Sequence, residues 1–163
     1  MTGSGAVYRV LFLCTGNTCR SPMAAAAMRL ALGPDRERVQ VESAGVAARD
    51  GQPAAVLAER VAHGHGAEIG EHRARRATRQ QMRDADLVLV MERDHLAAAA
   101  ALGADPERSH VLSEWPDGGE PELLISDPFG GSLEAYEECW RRIWRHMERV
   151  VPQVREALRA RSS

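Results

Sequence analysis

The chain has 163 residues, 44% of them hydrophobic and 27% charged, which is the length and balance of one folded domain rather than of two or of a disordered chain. Its 21 basic and 23 acidic side chains leave a net charge of −2, with no global field for a polyanion, so nucleic acid is not an expected partner. Every basic residue is Arg, which we read as compositional background, and cysteines at 14, 19 and 139 fit a reducing cytoplasm better than a secreted disulfide framework.

Residues 1–6 (MTGSGA) and 161–163 (RSS) read as flexible tails around a single domain of residues 7–160. Residues 7–13 form an apolar run broken only by Arg9, as expected of a strand covered on both faces. That run lacks the basic start and cleavage site of an export signal, and no stretch nears the roughly 18 apolar residues of a membrane span. Residues 21–32 (SPMAAAAMRLAL) are strong helix formers, with Pro22 at a first helical position and Ser21 as candidate cap. Residues 39–43 follow as a strand, 53–62 as a helix, 86–91 as a strand, 94–102 as a helix and 110–112 as a short strand.

Parallel strands cannot be joined by tight turns, so this alternation predicts right-handed crossovers. The fold class is α/β: a three-layer, doubly wound sandwich around a central four-stranded parallel sheet. Residues 132–158 complete it as the longest helix. Leu133, Tyr136, Trp140, Ile143, Met147, Val151, Val154 and Leu158 make its apolar stripe, and Pro152 is expected to kink or break it.

The loop after the first strand reads Cys14-Thr15-Gly16-Asn17-Thr18-Cys19-Arg20-Ser21 and runs into a helix N-terminus. Backbone amides turned inward would form a nest for a tetrahedral oxyanion, and the helix dipole adds to the attraction. Gly16 and Asn17 are expected to supply the unusual backbone angles. Arg20 can grip two oxygens with its planar fork of donors, and the same groups would stabilise a thiolate on Cys14, the candidate nucleophile. Alone, a Cys at the end of a buried strand is usually inert core. The pair Cys14 and Cys19 could be half a metal site, but the histidines at 63, 65, 72, 95, 110 and 146 are scattered and offer no second ligand pair. A Walker loop would need a lysine and a dinucleotide fingerprint three glycines.

The run CTGNTCRSPM, with Ser43-Ala44-Gly45 after the second strand, His72 before an Arg-rich segment and Asp127-Pro128-Phe129-Gly130-Gly131 before the last helix, resembles the low-molecular-weight protein tyrosine phosphatase family. The similarity spans residues 8–147 in the same order. Within the family it looks most like the bacterial protein arginine phosphatases, because Thr18 stands where the tyrosine phosphatases usually carry Ile or Leu and Phe129-Gly130 replaces an aromatic pair beginning with Tyr. The resemblance implies a phosphocysteine mechanism without metal or cofactor. Cys14 would be the nucleophile, Arg20 and the amides of Thr15, Gly16, Asn17, Thr18 and Cys19 the phosphate cradle, and Asp127 the acid and then the base. Asn17, Ser21, Ser43 and His72 would brace the loop, Thr18 and Phe129 would line the substrate pocket, and Cys14 with Cys19 would form a redox pair. Phosphorylated proteins are the implied partners of a monomer.

Taken alone, an Asp-Pro pair before a helix is a turn, and only the loop chemistry promotes Asp127. Residues 73–83 (RARRATRQQMR) favour a solvated face over a site for an acidic partner, Cys139 reads as structural, and at least one of Trp140 and Trp144 belongs to the core. The resemblance implies phosphoarginine as the preferred substrate, with phosphotyrosine as the rival. A thioredoxin-coupled arsenate reductase would need a further cysteine pair near the third strand, which is absent, and a non-enzymatic redox sensor would not need Asp127.

Overall fold

The computed structural model describes residues 7–162; the expected N-terminal tail lies outside the described residues. Four parallel strands form one sheet, in which the second strand of the chain lies at one edge, followed by the first, the third and the fourth. Strand β1 is Tyr8–Cys14, β2 is Val39–Gly45, β3 is Leu87–Val90 and β4 is Ser109–Val111. The helices are α1 (Arg20–Leu32), α2 (Val56–Gly64), α3 (Arg79–Asp84), α4 (Arg93–Ala101) and α5 (Leu133–Ser162).

Alternation along β1 builds both faces of the sheet. Val10 and Phe12 point into a core shared with α1, α2 and α5, whereas Leu11 and Leu13 meet Met82, Val88, Val90 and Ala99 on the side of α3 and α4. The doubly wound sandwich expected from the sequence is therefore the fold observed. Helix α1 is buried nearly all round, which explains its alanines: small side chains let it lie close to the sheet and to α5.

Two local expectations give way, and of the two outcomes expected at Pro152 the break does not occur. Pro152 does not end the last helix, which continues to Ser162 and takes in two residues expected in the tail. An interior proline costs about 3 kcal/mol, but Val150, Val151, Val154 and Leu158 are all buried around it and hold both halves on the core. Leu133, placed on the apolar stripe, is instead exposed at the first turn. Ser21 is not a cap: α1 starts at Arg20 without any side-chain cap bond, and the Ser21 hydroxyl is spent on the loop.

A candidate active site at the carboxyl end of the sheet

Helices cover opposite faces on either side of the β1/β3 boundary, and in open α/β sheets a crevice forms outside the carboxyl ends of the strands at such a reversal. Cys14, the last residue of β1, sits at this point. Its Sγ receives the Asn17 amide at 3.3 Å and lies 2.9 Å from Ser21 Oγ.

Asn17 holds the loop in shape. It is buried with φ of 57°, and its side chain donates through Nδ2 to Ser21 Oγ at 2.8 Å and to Ser43 Oγ at 2.9 Å. Its Oδ1 accepts the Arg75 amide at 2.9 Å, and its carbonyl oxygen lies 2.7 Å from His72 Nε2. The His72 ring must donate there, and burial holds its pKa below the usual value, so it does so as a neutral imidazole. Gly16, expected to share the unusual angles, does not have a positive φ. A Cβ on it would meet only Thr18 Oγ1, at 3.7 Å. Gly45 is the glycine the loop requires, because a Cβ there would come within 2.6 Å of the Thr15 carbonyl oxygen and 3.0 Å of Asn17 Cβ.

Arg20 is 2% exposed and is pinned along one edge. Its Nη1 donates to Glu92 Oε1 at 2.5 Å and to the Ile125 carbonyl at 3.1 Å, while Nη2 lies 3.5 Å from Thr15 Oγ1 and 3.8 Å from Asp127 Oδ2. A buried guanidinium is tolerable only with such partners. Behind it, the Glu92 amide donates to His95 Nδ1 at 3.2 Å, which leaves the proton on Nε2 to reach Thr15 Oγ1 at 3.0 Å. Burial, and then the charge of Arg20, lower the pKa of His95 and keep it neutral.

Glu92, His95 and Ile125 were not expected from the sequence. Glu92 and His95 follow the third strand directly, and position at the carboxyl end of a strand beside β1 is the signal that would have found them.

A cleft of about 280 Å³ opens over the sulfur, lined by Cys14, Thr15, Gly16, Thr18, Cys19 and Arg20 below and by Ala47, Arg49, Gln52, Asp127 and Phe129 around the mouth. The Asp127 carboxylate is half-exposed and accepts the Phe129 amide through Oδ1 at 3.1 Å, leaving Oδ2 turned toward Arg20. Phe129 is 74% exposed. Cys19 is buried with its Sγ 3.4 Å from the Tyr136 hydroxyl, and burial raises its pKa. Burial pushes Cys139 up to about 12, the environment of an inert core thiol. Among the described residues no helix is long and apolar enough to cross a membrane.

A sulfur, a pinned guanidinium and a carboxylate converge on one cleft, a combination with the chemistry to hold a tetrahedral anion. Residues 9–161 match the family model described as low molecular weight phosphotyrosine protein phosphatase, and the chain belongs to that family of protein phosphatases. It is 37% identical over 150 residues to the probable low molecular weight protein-tyrosine-phosphatase EpsP of Ralstonia nicotianae, covering 91% of this chain and 97% of that protein. It is 35% identical over 152 residues to the protein-arginine-phosphatase of Geobacillus stearothermophilus, covering 93% and 96%. Its structure is similar, with a TM-score of 0.82 and 30% identity over 90% of this chain and 95% of the other, to a mutant of the YwlE arginine phosphatase with a phosphorylated active-site serine.

Proposed function

We propose that this chain hydrolyses phosphorylated protein side chains through a phosphocysteine, with phosphoarginine preferred over phosphotyrosine. Cys14 attacks phosphorus as a thiolate while the P–N or P–O bond breaks, and Asp127 gives its proton to the departing group. Water then attacks the phosphocysteine, Asp127 takes its proton, and phosphate leaves as the thiolate is restored. Arg20 and the loop amides carry the charge on the equatorial oxygens throughout. The three thiols, all free, fit a cytoplasmic enzyme, and we infer that it acts as a monomer.

The preference rests on Thr18. It lines the cleft that Asp127 also lines, and it offers a short wall with a hydroxyl where an Ile would offer apolar area to a phenyl ring. Each buried methyl-sized increment is worth on the order of 1 kcal/mol, which an aromatic substrate would collect and a slim guanidinium would not. The guanidinium also has a partner in the half-exposed Asp127 carboxylate. Phosphoarginine and phosphotyrosine peptides of one sequence, assayed side by side, test the reading. Thr18→Ile is expected to lower the kcat/KM ratio of phosphoarginine over phosphotyrosine by at least about tenfold, or 1.4 kcal/mol. If the unmodified enzyme prefers phosphotyrosine and Thr18→Ile changes nothing, a tyrosine phosphatase replaces this assignment.

A further inference from the structure

The arginine-rich stretch, left without a role by the reaction, runs beside the mouth of the cleft. Its first residues are extended against the loop after β2: Arg73 bridges Pro53 in antiparallel register and Arg76 bridges Gly45 in parallel register. The Gly51 amide donates to the Ala74 carbonyl at 2.8 Å and the Ala74 amide to the Gln52 carbonyl at 2.7 Å. Gln52 and Arg49 line the cleft itself, so the stretch is fixed to the rim. Ala74 and Ala77 are buried, whereas Arg73 and Arg76 are exposed, as is Arg49.

These three guanidiniums have little to do within the chain. Arg73 donates to the carbonyl of its neighbour His72, and none of the three takes part in an ion pair among the described residues. Arg75 differs, with Nη2 3.3 Å from Glu42. Two carboxylates stand near them: Asp127 on the same mouth of the cleft, and Asp50, whose Oδ1 receives the Arg76 amide at 2.8 Å. The rim is locally positive on a chain of net charge −2. The phosphoryl group does not require this charge, because Arg20 meets it from below.

We propose that Arg49, Arg73 and Arg76 dock acidic side chains flanking the phosphorylated residue of a protein substrate, so that the enzyme selects phosphosites set among Asp and Glu. This rests on the reading that the cleft hydrolyses phosphorylated side chains. Successive residues of an extended peptide advance by about 3.3 Å, so neighbours of a residue inserted in the cleft must cross its rim. Such pairs are exposed and weak one at a time, and they act together.

The test uses two peptides with the same phosphorylated residue, one with Glu and one with Gln at the two positions on either side. Turnover is measured as kcat/KM, and binding to the Cys14→Ser variant by fluorescence anisotropy. The Glu peptide is expected to lead by ~fivefold in both readouts at ~50 mM salt, with the lead falling toward one at ~0.5 M. The Arg49→Glu/Arg76→Glu variant is expected to abolish or reverse it. Equal values for the two peptides, or a lead that survives both the variant and the salt, overturn the docking role while turnover of p-nitrophenyl phosphate upholds the phosphatase reading. Failure to turn over either peptide or the aryl phosphate overturns that reading instead, and the anisotropy ratio still decides the docking.

Discussion

The imidazole of His95 donates its Nε2–H to the Thr15 hydroxyl at 3.0 Å, and the direction of that bond is set by the Glu92 amide on the opposite ring nitrogen. With its lone pairs facing His95 and Arg20, the Thr15 hydroxyl is free to aim its own proton into the cleft. A hydrogen bond of this type is worth about 0.5 to 1.5 kcal/mol. Thr15→Val and His95→Ala should each lower kcat/KM by roughly two- to tenfold, and the double variant should be no worse than the weaker single. Additive losses in a double-mutant cycle would show the two residues acting independently.

Cys14→Ser should abolish turnover and keep phosphate binding, because the site that supports a thiolate does not deprotonate a hydroxyl. Arg20→Lys should be nearly as severe, since an ammonium cannot span Glu92, the Ile125 carbonyl and two phosphate oxygens at once. Steady-state kinetics retaining more than about a tenth of wild-type activity in either variant would contradict the mechanism.

Loss of Asp127 should cost in proportion to how badly the leaving group needs a proton. Asp127→Ala is expected to lose about 10²- to 10⁴-fold on phosphorylated peptides and much less on activated aryl phosphates. A flat loss across a series of leaving groups would mean that the carboxylate serves only its bond to the Phe129 amide.

Gly45→Ala should damage both stability and activity, since its Cβ would press on the Thr15 carbonyl and on Asn17. Overpacking of this kind costs about 1 to 3 kcal/mol, read as a lower urea midpoint. Gly16→Ala, whose Cβ would make only an ordinary contact of 3.7 Å with Thr18 Oγ1, should keep the wild-type midpoint.

Acid should destabilise the fold through its histidines. Burial lowers the pKa values of His72, His95, His110 and His146 below 6.5, so above that value both folded and unfolded chains carry them neutral and stability is full. As pH falls below 6.5 the unfolded chain takes up protons first, and stability drops by at most about 1.4 kcal/mol per pH unit for each group. Urea midpoints measured on either side of that value should fall on the acid side; a constant midpoint would refute the linkage.

Much of this was legible in local sequence because the loop, its strand and its helix are contiguous. The apolar run into Cys14 and the alanine-rich stretch after Arg20 carry the strand-loop-helix unit by themselves. What escaped is contributed at long range. Glu92 and His95 look like an ordinary helix start until β3 is laid beside β1, and Gly45 looks like a strand end until the Thr15 carbonyl is packed against it. Ser21 satisfies the local rule for a cap, yet a buried sulfur and the Asn17 amide compete for its hydroxyl and win. Pro152 breaks the local rule for a helix interior, and the core on both sides overrides it.

Asn17 bonds residues 26, 55 and 58 positions further along the chain, at Ser43, His72 and Arg75. A nascent chain that has emerged only as far as α2 therefore holds Cys14, Arg20 and Ser43 but neither His72 nor Arg75, two of the three distant partners that keep Asn17 in its left-handed conformation. Closing loops of that length is entropically costly, so the loop is expected to take its final shape late in folding. The loop that carries the nucleophile is thus fully braced only once the chain has been made through Arg75, and a product interrupted before that residue lacks two of the three distant bonds on Asn17.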